Sequence, residues 1–481
     1  MGSVLRATSP FSVKRVAIIG AGPSGLAAAK FLRAEEHFDT IDIFEQQSEV
    51  GGIWHYTPSS GEKVPIPSTD PNIPLEKPIL PDGSKAPIFS NPMYEHLNTN
   101  IPKQLMGFSD QAFPAESLLF PARQDVQQYL VKYSQDIRDI ISFSTQVDDV
   151  RPLKESRWEV ITKSTITGVS KTNEYDAVIV SNGHYSVPLI PSVTGIEAFD
   201  AAYPNLITHS KIYRSPESFT DKKVIVVGSG ASGLDIGTQI SFVSKKPLLC
   251  SVRSPLPQKF GQAKEEVPPI AEYLVEEKGV RFEDGRIEKD IDAIVYCTGY
   301  FYSYPFLKAL DPTVTNGRRA VGVYEHVFDI AHPTLAFLAL TQKVIPFPIA
   351  EIQSAAIAGV WSNRLELPTQ EKMQTWEKKR VEEAGEGTNF HVFGYPKDAE
   401  YINGFHDWVK LSGFKKEPTY WGPEQLWCRE IYADVRKKWV ETGSIAKSME
   451  ELGFKMNGIV VEIALENDIH IDTASPELKD R

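Results

Sequence analysis

The sequence has 481 residues and a net charge of −12 from 51 basic and 63 acidic residues. This length allows two or three domains with a sizeable core, and the acidic balance argues against a protein that tracks nucleic-acid phosphates. The only cysteines, Cys250, Cys297 and Cys428, lie far apart and form no C-x-x-C pair. That spacing argues against a disulfide framework, a thiol-redox pair or a cysteine zinc site, and it favours a reducing compartment.

Signals for targeting or membrane anchoring are not evident in the sequence. The first fifteen residues lack the apolar stretch of a secretory signal, and Arg6 stands where a myristoylation signal needs Ser or Thr. No apolar run has the length of a membrane span. Residues 459–481 carry several acidic side chains, which argues against a tail anchor. We therefore expect a cytosolic protein without a membrane span.

The first element resembles the start of a dinucleotide-binding unit. Residues 16–19 are a short apolar run, which predicts a strand buried in a parallel sheet. Residues 26–32 then read as a helix. In G-x-G-x-x-G spacing the first glycine makes the turn, the second admits a pyrophosphate and the third lets helix pack on strand. The loop between strand and helix consists of Gly20, Ala21, Gly22, Pro23, Ser24 and Gly25.

The next predicted strand, residues 40–44, ends at Glu45, twenty residues beyond Gly25. A carboxylate at this position accepts hydrogen bonds from a ribose diol and repels a 2′-phosphate. Strand, loop, helix, strand and acid in register favour a nucleotide site over the alternative, a tight turn without a ligand.

The stretch after Glu45 contains a second glycine-rich turn. Gly51 and Gly52, followed by Ile53 and Trp54, suit a backbone that passes close under a flat ligand. A plain turn with a core tryptophan explains the same residues equally well. Residues 57–92 are rich in Pro, Ser and Asp, and we expect them to form a long surface excursion.

Residues 93–113 are expected to begin as a helix that breaks at Pro102, with Asn98 and Asn100 as turn or cap residues. An amphipathic helix is expected from about residue 120 to 140. Strands are expected at 142–150, 158–162 and 174–181. The last of these ends in small and polar residues, where open α/β sheets place ligands.

A second copy of the first motif begins 208 residues after the first. Its strand leads to Arg253, which lies twenty residues beyond the third glycine, at the interval that placed Glu45 in the first unit. An Arg with neighbouring hydroxyls, such as that of Ser251, accommodates a 2′-phosphate. We therefore expect FAD or NAD at the first site and NADP(H) at the second; the alternative for Arg253 is a solvated surface charge. The second loop consists of Gly228, Ser229, Gly230, Ala231, Ser232 and Gly233.

The remaining chain carries fewer chemical signals. Residues 255–269 are expected to form a loop, and 281–297 a hairpin followed by a buried strand. Aromatic residues between 300 and 306 are interpreted as core, with a substrate channel as the alternative. Helices are expected after Pro346, from Gln370 to about Glu383, and from Glu424 to Thr442.

With both units placed, the sequence resembles the flavin-containing monooxygenases, class B flavoproteins, of the soluble fungal type over nearly its whole length. The two glycine-rich loops, Glu45 and the turn at 51–54 match the family. Residues 97–102 fall on the family segment that bears an active-site asparagine, here Asn100. Residues 181–185 and 297–300 match stretches near the cofactors, with Cys297 where the family has Ala.

The identifying motif of that family, F-x-G-x-x-x-H-x-x-x-Y/F, falls on residues 203–213. His209 and Tyr213 agree, whereas Tyr203 replaces Phe and Asn205 replaces Gly. Tyr213, rather than the Trp of Baeyer–Villiger relatives, favours heteroatom oxidation. His209 is interpreted as a structural or gating residue rather than an acid–base catalyst.

The resemblance implies an α/β fold of two Rossmann-like dinucleotide-binding domains. The smaller NADPH domain, residues 187–299, would be inserted in the larger FAD domain, residues 1–186 and 300–481. It implies FAD and NADPH as cofactors and no metal, with Asn100 as the catalytic residue. The cofactor-binding residues implied are both six-residue loops together with Glu45, Gly52, Ile53, Trp54, Thr99, Asn100, Val147, Ser251, Arg253 and Gln353.

The implied reaction uses NADPH and O2 to oxygenate a soft nitrogen or sulfur atom of a small molecule through a C4a-hydroperoxyflavin. Bound NADP⁺ and the Asn100 amide would hydrogen-bond to that adduct. Alternatives are an N-hydroxylating or Baeyer–Villiger-type flavin monooxygenase, a non-oxygenating NADPH:flavin oxidoreductase, and a non-catalytic nucleotide sensor. A homodimer is the commonest default for such proteins, and no nucleic-acid partner is expected.

Overall fold

The computed structural model describes residues 11–58, 63–81, 87–254, 263–310 and 313–456, and two parallel sheets organise this part of the chain. The strands of the first sheet are β1 (Arg15–Ile19), β2 (Thr40–Phe44), β3 (Ile141–Ser142), β7 (Ala177–Val180), β18 (Val323–Tyr324), β19 (Phe328–Asp329) and β20 (Leu335–Phe337). Their order is β18-β19-β20-β7-β1-β2-β3. From β20 to β3 the strands run parallel, and β18 and β19 extend one edge as antiparallel strands.

The second sheet is parallel throughout and lies between β7 and β18 in the chain. Its strands are β9 (Ile207–His209), β10 (Val224–Val227), β11 (Leu248–Ser251), β12 (Lys264–Val267) and β16 (Ala293–Tyr296), in the order β12-β11-β10-β16-β9. The predicted α/β class, with a smaller Rossmann-like unit inserted in a larger one, is confirmed.

Three small sheets complete the strand content of the described residues. Two are antiparallel meanders: β4 (Thr145–Pro152), β5 (Trp158–Ser164) and β6 (Ser170–Tyr175), and β13 (Ile270–Leu274), β14 (Gly279–Phe282) and β15 (Ile287–Glu288). The third is a two-stranded ribbon of β8 (Val187–Pro188) and β17 (Tyr300–Phe301). The predicted domain boundaries fall at this ribbon, and they stay a prediction.

The helices of the described residues are α1 (Pro23–Ala34), α2 (Lys103–Met106), α3 (Arg123–Tyr133), α4 (Ile196–Ala202), α5 (Ala231–Val243), α6 (Pro346–Trp361), α7 (Gln370–Ala384), α8 (Lys397–Lys410) and α9 (Pro423–Glu441). Helix α1 packs on the first large sheet and α5 on the second, and most of the remaining helices pack around them. Helix α6 is buried on nearly every residue and shares one hydrophobic core with α1, α3 and α8. This core supports the loop that follows β1.

Several local predictions are confirmed. The strand at 40–44 and the helix that begins at Pro346 lie where they were expected, and α7 and α9 agree within a few residues. Phe301, Tyr302, Tyr304 and Phe306 are buried, so the interpretation of this aromatic run as core holds.

The expected helix from residue 93 is wrong. Helix α2 begins only after Pro102, and the residues before it pair with a neighbouring segment instead. Asn98 forms an isolated β-bridge with Ala122, and the Thr99 N–H donates to the Pro121 carbonyl oxygen at 2.9 Å. Hydrogen bonds to a distant segment therefore override the local helical pattern.

Four further predictions need correction. The strand expected at 142–150 is two strands, β3 and β4, in different sheets, because the chain turns between them at Ser144, which has a φ of +49°. The strand expected at 174–181 is two strands, β6 and β7, in different sheets, because Asp176 between them accepts hydrogen bonds from the backbone of Lys14 and Arg15. The expected loop at 255–269 contains β12, which pairs with β11. The helix expected to about residue 140 ends at Tyr133 and is followed by a 3-10 helix at Gln135–Ile140. Helix α8 was not predicted from the sequence.

Within the described ranges, no helix is both long and apolar enough to cross a membrane. The predictions made for the N-terminal ten residues, for residues 255–262 and for the acidic residues beyond 456 lie outside the described residues.

Candidate active site

The loop after β1 has the geometry of a nucleotide-binding turn. Gly20 has a φ of +103°, and a Cβ there would lie 2.7 Å from the carbonyl oxygen of Ser181. A Cβ on Gly25 would lie 1.9 Å from the carbonyl oxygen of Gly20, so only glycine lets α1 begin this close to the strand. Helix α1 starts at Pro23, and no described side chain caps its first N–H groups. These groups are therefore available to an anion.

The turn at residues 51–54 lies directly against this loop. The Gly51 N–H donates to the Ala21 carbonyl oxygen at 3.0 Å, and a Cβ on Gly52 would lie 3.1 Å from the Cα of Gly22. Ile53 is half-buried in a short 3-10 turn, and the half-buried Trp54 beside it packs on the main core. The two backbones therefore meet without side chains between them.

Glu45 lies under the first loop and is buried. Its carboxylate oxygens accept hydrogen bonds from the backbone N–H groups of Ala21 and Gln47, both at 2.8 Å. Burial raises the pKa of the Glu45 carboxyl above its ordinary value, and the two backbone donors oppose that rise. Since each carboxylate oxygen has a second lone pair, Glu45 can fix the loop and still accept from a ribose.

The segment that carries Asn100 runs along the start of α3. The side chain of Asn98 donates to the Phe120 carbonyl oxygen at 3.2 Å, and the hydroxyl of buried Thr99 donates to the Ile101 carbonyl oxygen at 2.9 Å. Asn100 is exposed. Its neighbours are thus held by protein contacts, and the Asn100 amide faces outward.

Residues 91–100 also contact the turn at 51–56. The side chain of Asn91, which is 5% exposed, donates to the His55 carbonyl oxygen at 2.6 Å. Arg123, the first residue of α3, stacks on the ring of Tyr56 with its guanidinium carbon 3.7 Å from the ring centroid. The structure therefore brings the first loop, the 51–54 turn and the Asn100 segment to one place.

The second glycine-rich loop repeats the geometry of the first. Gly228 has a φ of +114°, with a virtual Cβ 2.6 Å from the Cys297 carbonyl oxygen, and a Cβ on Gly233 would lie 2.1 Å from the Gly228 carbonyl oxygen. Gly230 differs, because none of the described atoms lies within 4 Å of its virtual Cβ. Ser229, Gly230 and Ala231 are exposed, and Ser232 is half-buried. The loop thus presents an open backbone surface at the start of α5.

The two residues predicted to select a 2′-phosphate differ in their exposure to solvent. Ser251, at the end of β11, is 2% exposed, and its hydroxyl donates to the Pro268 carbonyl oxygen at 3.0 Å. Arg253, two residues later, is exposed. Arg253 is therefore free to reach a ligand, whereas the Ser251 hydroxyl is used within the protein.

The identifying segment at 203–213 shows why its two departures are tolerated. Asn205 has a φ of +68°, a left-handed conformation that glycine prefers and asparagine adopts more readily than most residues. The Tyr203 hydroxyl donates to the Val275 carbonyl oxygen at 2.9 Å. Asn205 therefore holds a backbone conformation that glycine would adopt without strain.

His209 is fully buried in this segment. Its Nδ1 accepts from the Lys211 N–H at 3.1 Å, so Nε2 donates to the Gly299 carbonyl oxygen at 3.1 Å. Burial, with a smaller contribution from the Lys211 charge, lowers the pKa of His209 to about 3. A neutral, doubly hydrogen-bonded ring favours a structural role.

Val147 and Gln353 are not part of either glycine-rich loop. Val147 is a buried residue of β4 that packs under the first sheet. Gln353 is buried in α6, where its oxygen accepts from the Ala339 N–H at 2.9 Å and its nitrogen donates to the Tyr401 hydroxyl at 3.0 Å. Contact of either residue with a cofactor stays a prediction.

A network that the sequence did not suggest joins the two units. The Tyr94 hydroxyl donates to Asp235 on α5 at 2.5 Å, and the same carboxylate oxygen accepts from the Gln239 amide at 3.0 Å. The Gln239 oxygen accepts from the Tyr213 hydroxyl at 3.0 Å, and the rings of Tyr94 and Tyr213 meet edge to face. Tyrosines at 94 and 213 were visible in the sequence, but their common partner on α5 was not.

Comparison with protein families gives two matches. A family model described as flavin-binding monooxygenase-like matches residues 89–256 and 263–417. A second, described as an NAD(P)-binding Rossmann-like domain, matches residues 18–69, which include the first glycine-rich loop.

Individual relatives cover most of the chain. The thiol-specific monooxygenase of Saccharomyces cerevisiae is 36% identical over 375 residues, which are 74% of this chain and 79% of that protein. The flavin-containing monooxygenase FMO GS-OX5 of Arabidopsis thaliana is 36% identical over 376 residues, 74% of this chain and 76% of its own. Among solved structures, S-allyl-L-cysteine S-oxygenase from Allium sativum has a TM-score of 0.74 and 28% identity, covering 92% of this chain and 98% of that one.

Proposed function

Because the chain belongs to the flavin-binding monooxygenase-like family and is an FAD- and NADPH-dependent monooxygenase, we propose that it oxygenates the sulfur atom of a small thiol or thioether. The names of the yeast and Allium relatives support sulfur. A soft nitrogen nucleophile is the alternative, since the same cofactors serve both atoms.

The residues present fit both dinucleotides. At each loop the third glycine lies where any Cβ would collide with the carbonyl oxygen of the first glycine, 1.9 Å away at Gly25 and 2.1 Å away at Gly233. These close approaches bring helix N-termini against the strands, as a pyrophosphate site requires. We assign FAD to the loop beside Glu45 and NADPH to the loop followed by Arg253.

The observation that carries the proposal is the position of the Asn100 segment between the two units. Asn91 bonds to the turn beside the first loop, and Tyr94 bonds to α5, which begins at the second loop. Asn100 itself is exposed. A side-chain amide held between a flavin site and a nicotinamide site can donate a hydrogen bond where the two cofactors meet.

When bound, FAD would supply the redox chemistry by which electrons from NADPH reduce O2, with one oxygen atom going to the substrate and the other to water. The protein orients the groups and limits access of water. The exposed Asn100 amide would donate a hydrogen bond to the bound flavin, and this bond would oppose unproductive loss of peroxide. Both ring nitrogens of His209 are hydrogen-bonded within the protein, so we assign it no proton transfer.

The test measures products from the purified holoenzyme with NADPH in air. A panel of thiols, thioethers, amines and a cyclic ketone is offered, with peroxide measured alongside and ¹⁸O2 as the source of oxygen. We expect labelled sulfoxide or oxidised thiol at close to one per NADPH. NADPH oxidation that yields only peroxide with every compound would contradict the proposal, and a labelled lactone would support the Baeyer–Villiger alternative instead.

The individual cofactor contacts, the boundaries of the two domains, a homodimer and a cytosolic location remain predictions from the sequence.

A further inference from the structure

Arg123 is a cation without a counter-ion in the candidate site. Its guanidinium stacks on the ring of Tyr56 at 3.7 Å, and its Nε is inaccessible to solvent without a hydrogen-bond partner. Among the described residues, no carboxylate pairs with it. Stacking occupies the face of a guanidinium, but its N–H groups point outward in the plane and remain to be satisfied.

The position of Arg123 on its helix makes this arrangement costly. Arg123 is the first residue of α3, an 11-residue helix, so its charge lies at the positive end of the helix dipole. The nearest acid on this helix, Asp125, accepts from the Ala122 N–H at 3.3 Å. Asp125 in the first turn offsets part of the positive charge at this helix end. The buried Nε–H of Arg123 still lacks an acceptor, which an oxyanion would supply.

The contacts of α3 show which part of the site lies beside the Arg123 guanidinium. Gln127, about one turn after Arg123, donates to the Val50 carbonyl oxygen at 2.7 Å and so faces the turn that meets the first glycine-rich loop. Arg123 lies one turn nearer the N-terminus of α3 and contacts Tyr56. Its backbone N–H donates to the Leu97 carbonyl oxygen at 3.1 Å. Arg123 therefore lies on the side of the Asn100 segment rather than that of the pyrophosphate loop.

We propose that Arg123 binds the carboxylate of the substrate, and that the enzyme therefore prefers small thiols or thioethers that carry a carboxylate. This inference rests on the proposed function and specifies its substrate class. A carboxylate matches the planar fork of the guanidinium and can accept from Nε and one Nη together. The phosphate groups of FAD are the other source of such an oxyanion.

The experiment compares two thioethers of equal size, methylthiopropanoate and its amide, methylthiopropanamide. Binding to the oxidised holoenzyme is measured by calorimetry without NADPH, and KM is measured in turnover. We expect tighter binding of the carboxylate by the wild type. In Arg123→Gln the Kd and KM for the carboxylate should rise at least about ten-fold, while those for the amide change less than about two-fold. For Arg123→Lys we expect Kd and KM values for the carboxylate between those of the wild type and Arg123→Gln, because lysine keeps the charge but lacks the planar fork of the guanidinium.

Arg157→Gln serves as the matched control, since Arg157 pairs with Glu174 on an exposed strand, and it should change neither compound. Equal changes for both thioethers in Arg123→Gln, or no change in Arg123→Gln and Arg123→Lys alike, would overturn the assignment. If Arg123→Gln loses bound FAD but keeps the same preference between the two thioethers, Arg123 binds a phosphate of FAD rather than the substrate. That result would also overturn the assignment. If the wild type oxygenates neither thioether nor any of the panel, the proposed function itself fails.

Discussion

Tyr94 and Asp235 are joined by a 2.5 Å hydrogen bond that links the segment bearing Asn100 to the helix of the second nucleotide loop. Tyr94 precedes Asn100 by six residues, and Asp235 lies in the second turn of α5. The backbone strengthens this link, because the Glu95 N–H donates to the Arg214 carbonyl oxygen at 2.8 Å. One network therefore links the position of the second glycine-rich loop to that of the segment bearing Asn100.

Tyr94→Phe removes only the hydroxyl of this network and leaves the ring packed on Tyr213. A hydrogen bond to a charged acceptor contributes about 1.5–3 kcal/mol, so we expect a lower free energy of unfolding. We also expect a larger fraction of NADPH to end as peroxide, because α5 can shift relative to Asn100. Tyr203→Phe is the control, since that hydroxyl bonds to Val275 within the second unit. Equal peroxide release from both variants would contradict a specific role for Tyr94.

Asn100→Ala tests the proposed donor directly. Loss of one preorganised donor costs about 2.7–4 kcal/mol of transition-state stabilisation, so oxygenated product per NADPH should fall steeply while peroxide rises. Product and peroxide are measured in the same reaction. Asn98→Ala is the matched control, because that side chain bonds to Phe120 and lies in the same segment; it should keep its coupling. Tight coupling in Asn100→Ala would remove Asn100 from the mechanism.

Alanine should have different effects at the two later glycines of the loop assigned to NADPH: weaker NADPH binding at Gly230 and lower stability at Gly233. Gly230→Ala meets no described atom within 4 Å, so the fold should persist, but the methyl group would occupy the surface proposed for the pyrophosphate. We expect KM for NADPH to rise at least about ten-fold, with wild-type unfolding behaviour and FAD content. Gly233→Ala places its methyl 2.1 Å from the Gly228 carbonyl oxygen and should destabilise the unit itself. An unchanged KM in Gly230→Ala would argue that NADPH binds elsewhere.

Arg253→Glu tests coenzyme selection. Replacing a guanidinium by a carboxylate removes a charge-assisted bond to the 2′-phosphate and adds repulsion. We therefore expect the ratio of kcat/KM for NADPH to that for NADH to fall at least about ten-fold. Arg281→Glu makes the same charge change on the second unit, at a residue that pairs with Glu272. A ratio that falls equally in both variants would attribute the preference to overall charge rather than to Arg253.

His209 should make stability fall on acidification. Its folded-state pKa is about 3, below the value of about 6.5 expected in the unfolded chain. Between these values the unfolded state binds a proton that the folded state does not, so the free energy of unfolding decreases as pH falls. His209→Gln should lose about 2 kcal/mol less than the wild type between pH 7 and pH 5, measured by urea unfolding. An identical loss in both proteins would mean that folding does not lower the pKa of this imidazole.

Much of the fold followed from local patterns. The apolar strands and glycine-rich loops near Gly20 and Gly228 were predicted because each has a steric requirement that a single sequence displays. The same is true of the helix after Pro346, whose start is fixed by the prolines. In these places short-range chemistry and the final fold agree.

The errors arose where distant segments decide local structure. Residues 93–101 lack a helix because their backbone bonds to residues 120–123, and no local pattern reveals that partner. Arg123 was overlooked for the same reason. An arginine at the first position of a helix is electrostatically unfavourable, and that was the only sequence signal for it. Its stacking on Tyr56, 67 positions earlier in the chain, needed the structure.

The buried cysteines have a consequence for the lifetime of the enzyme. Burial raises the pKa of Cys297, beside the second loop, and of Cys428 to about 12, and it raises that of Cys250 as well. Peroxide attacks thiolates rather than thiols. Any peroxide that the enzyme released would therefore find these thiols protonated, including Cys297 beside the second glycine-rich loop.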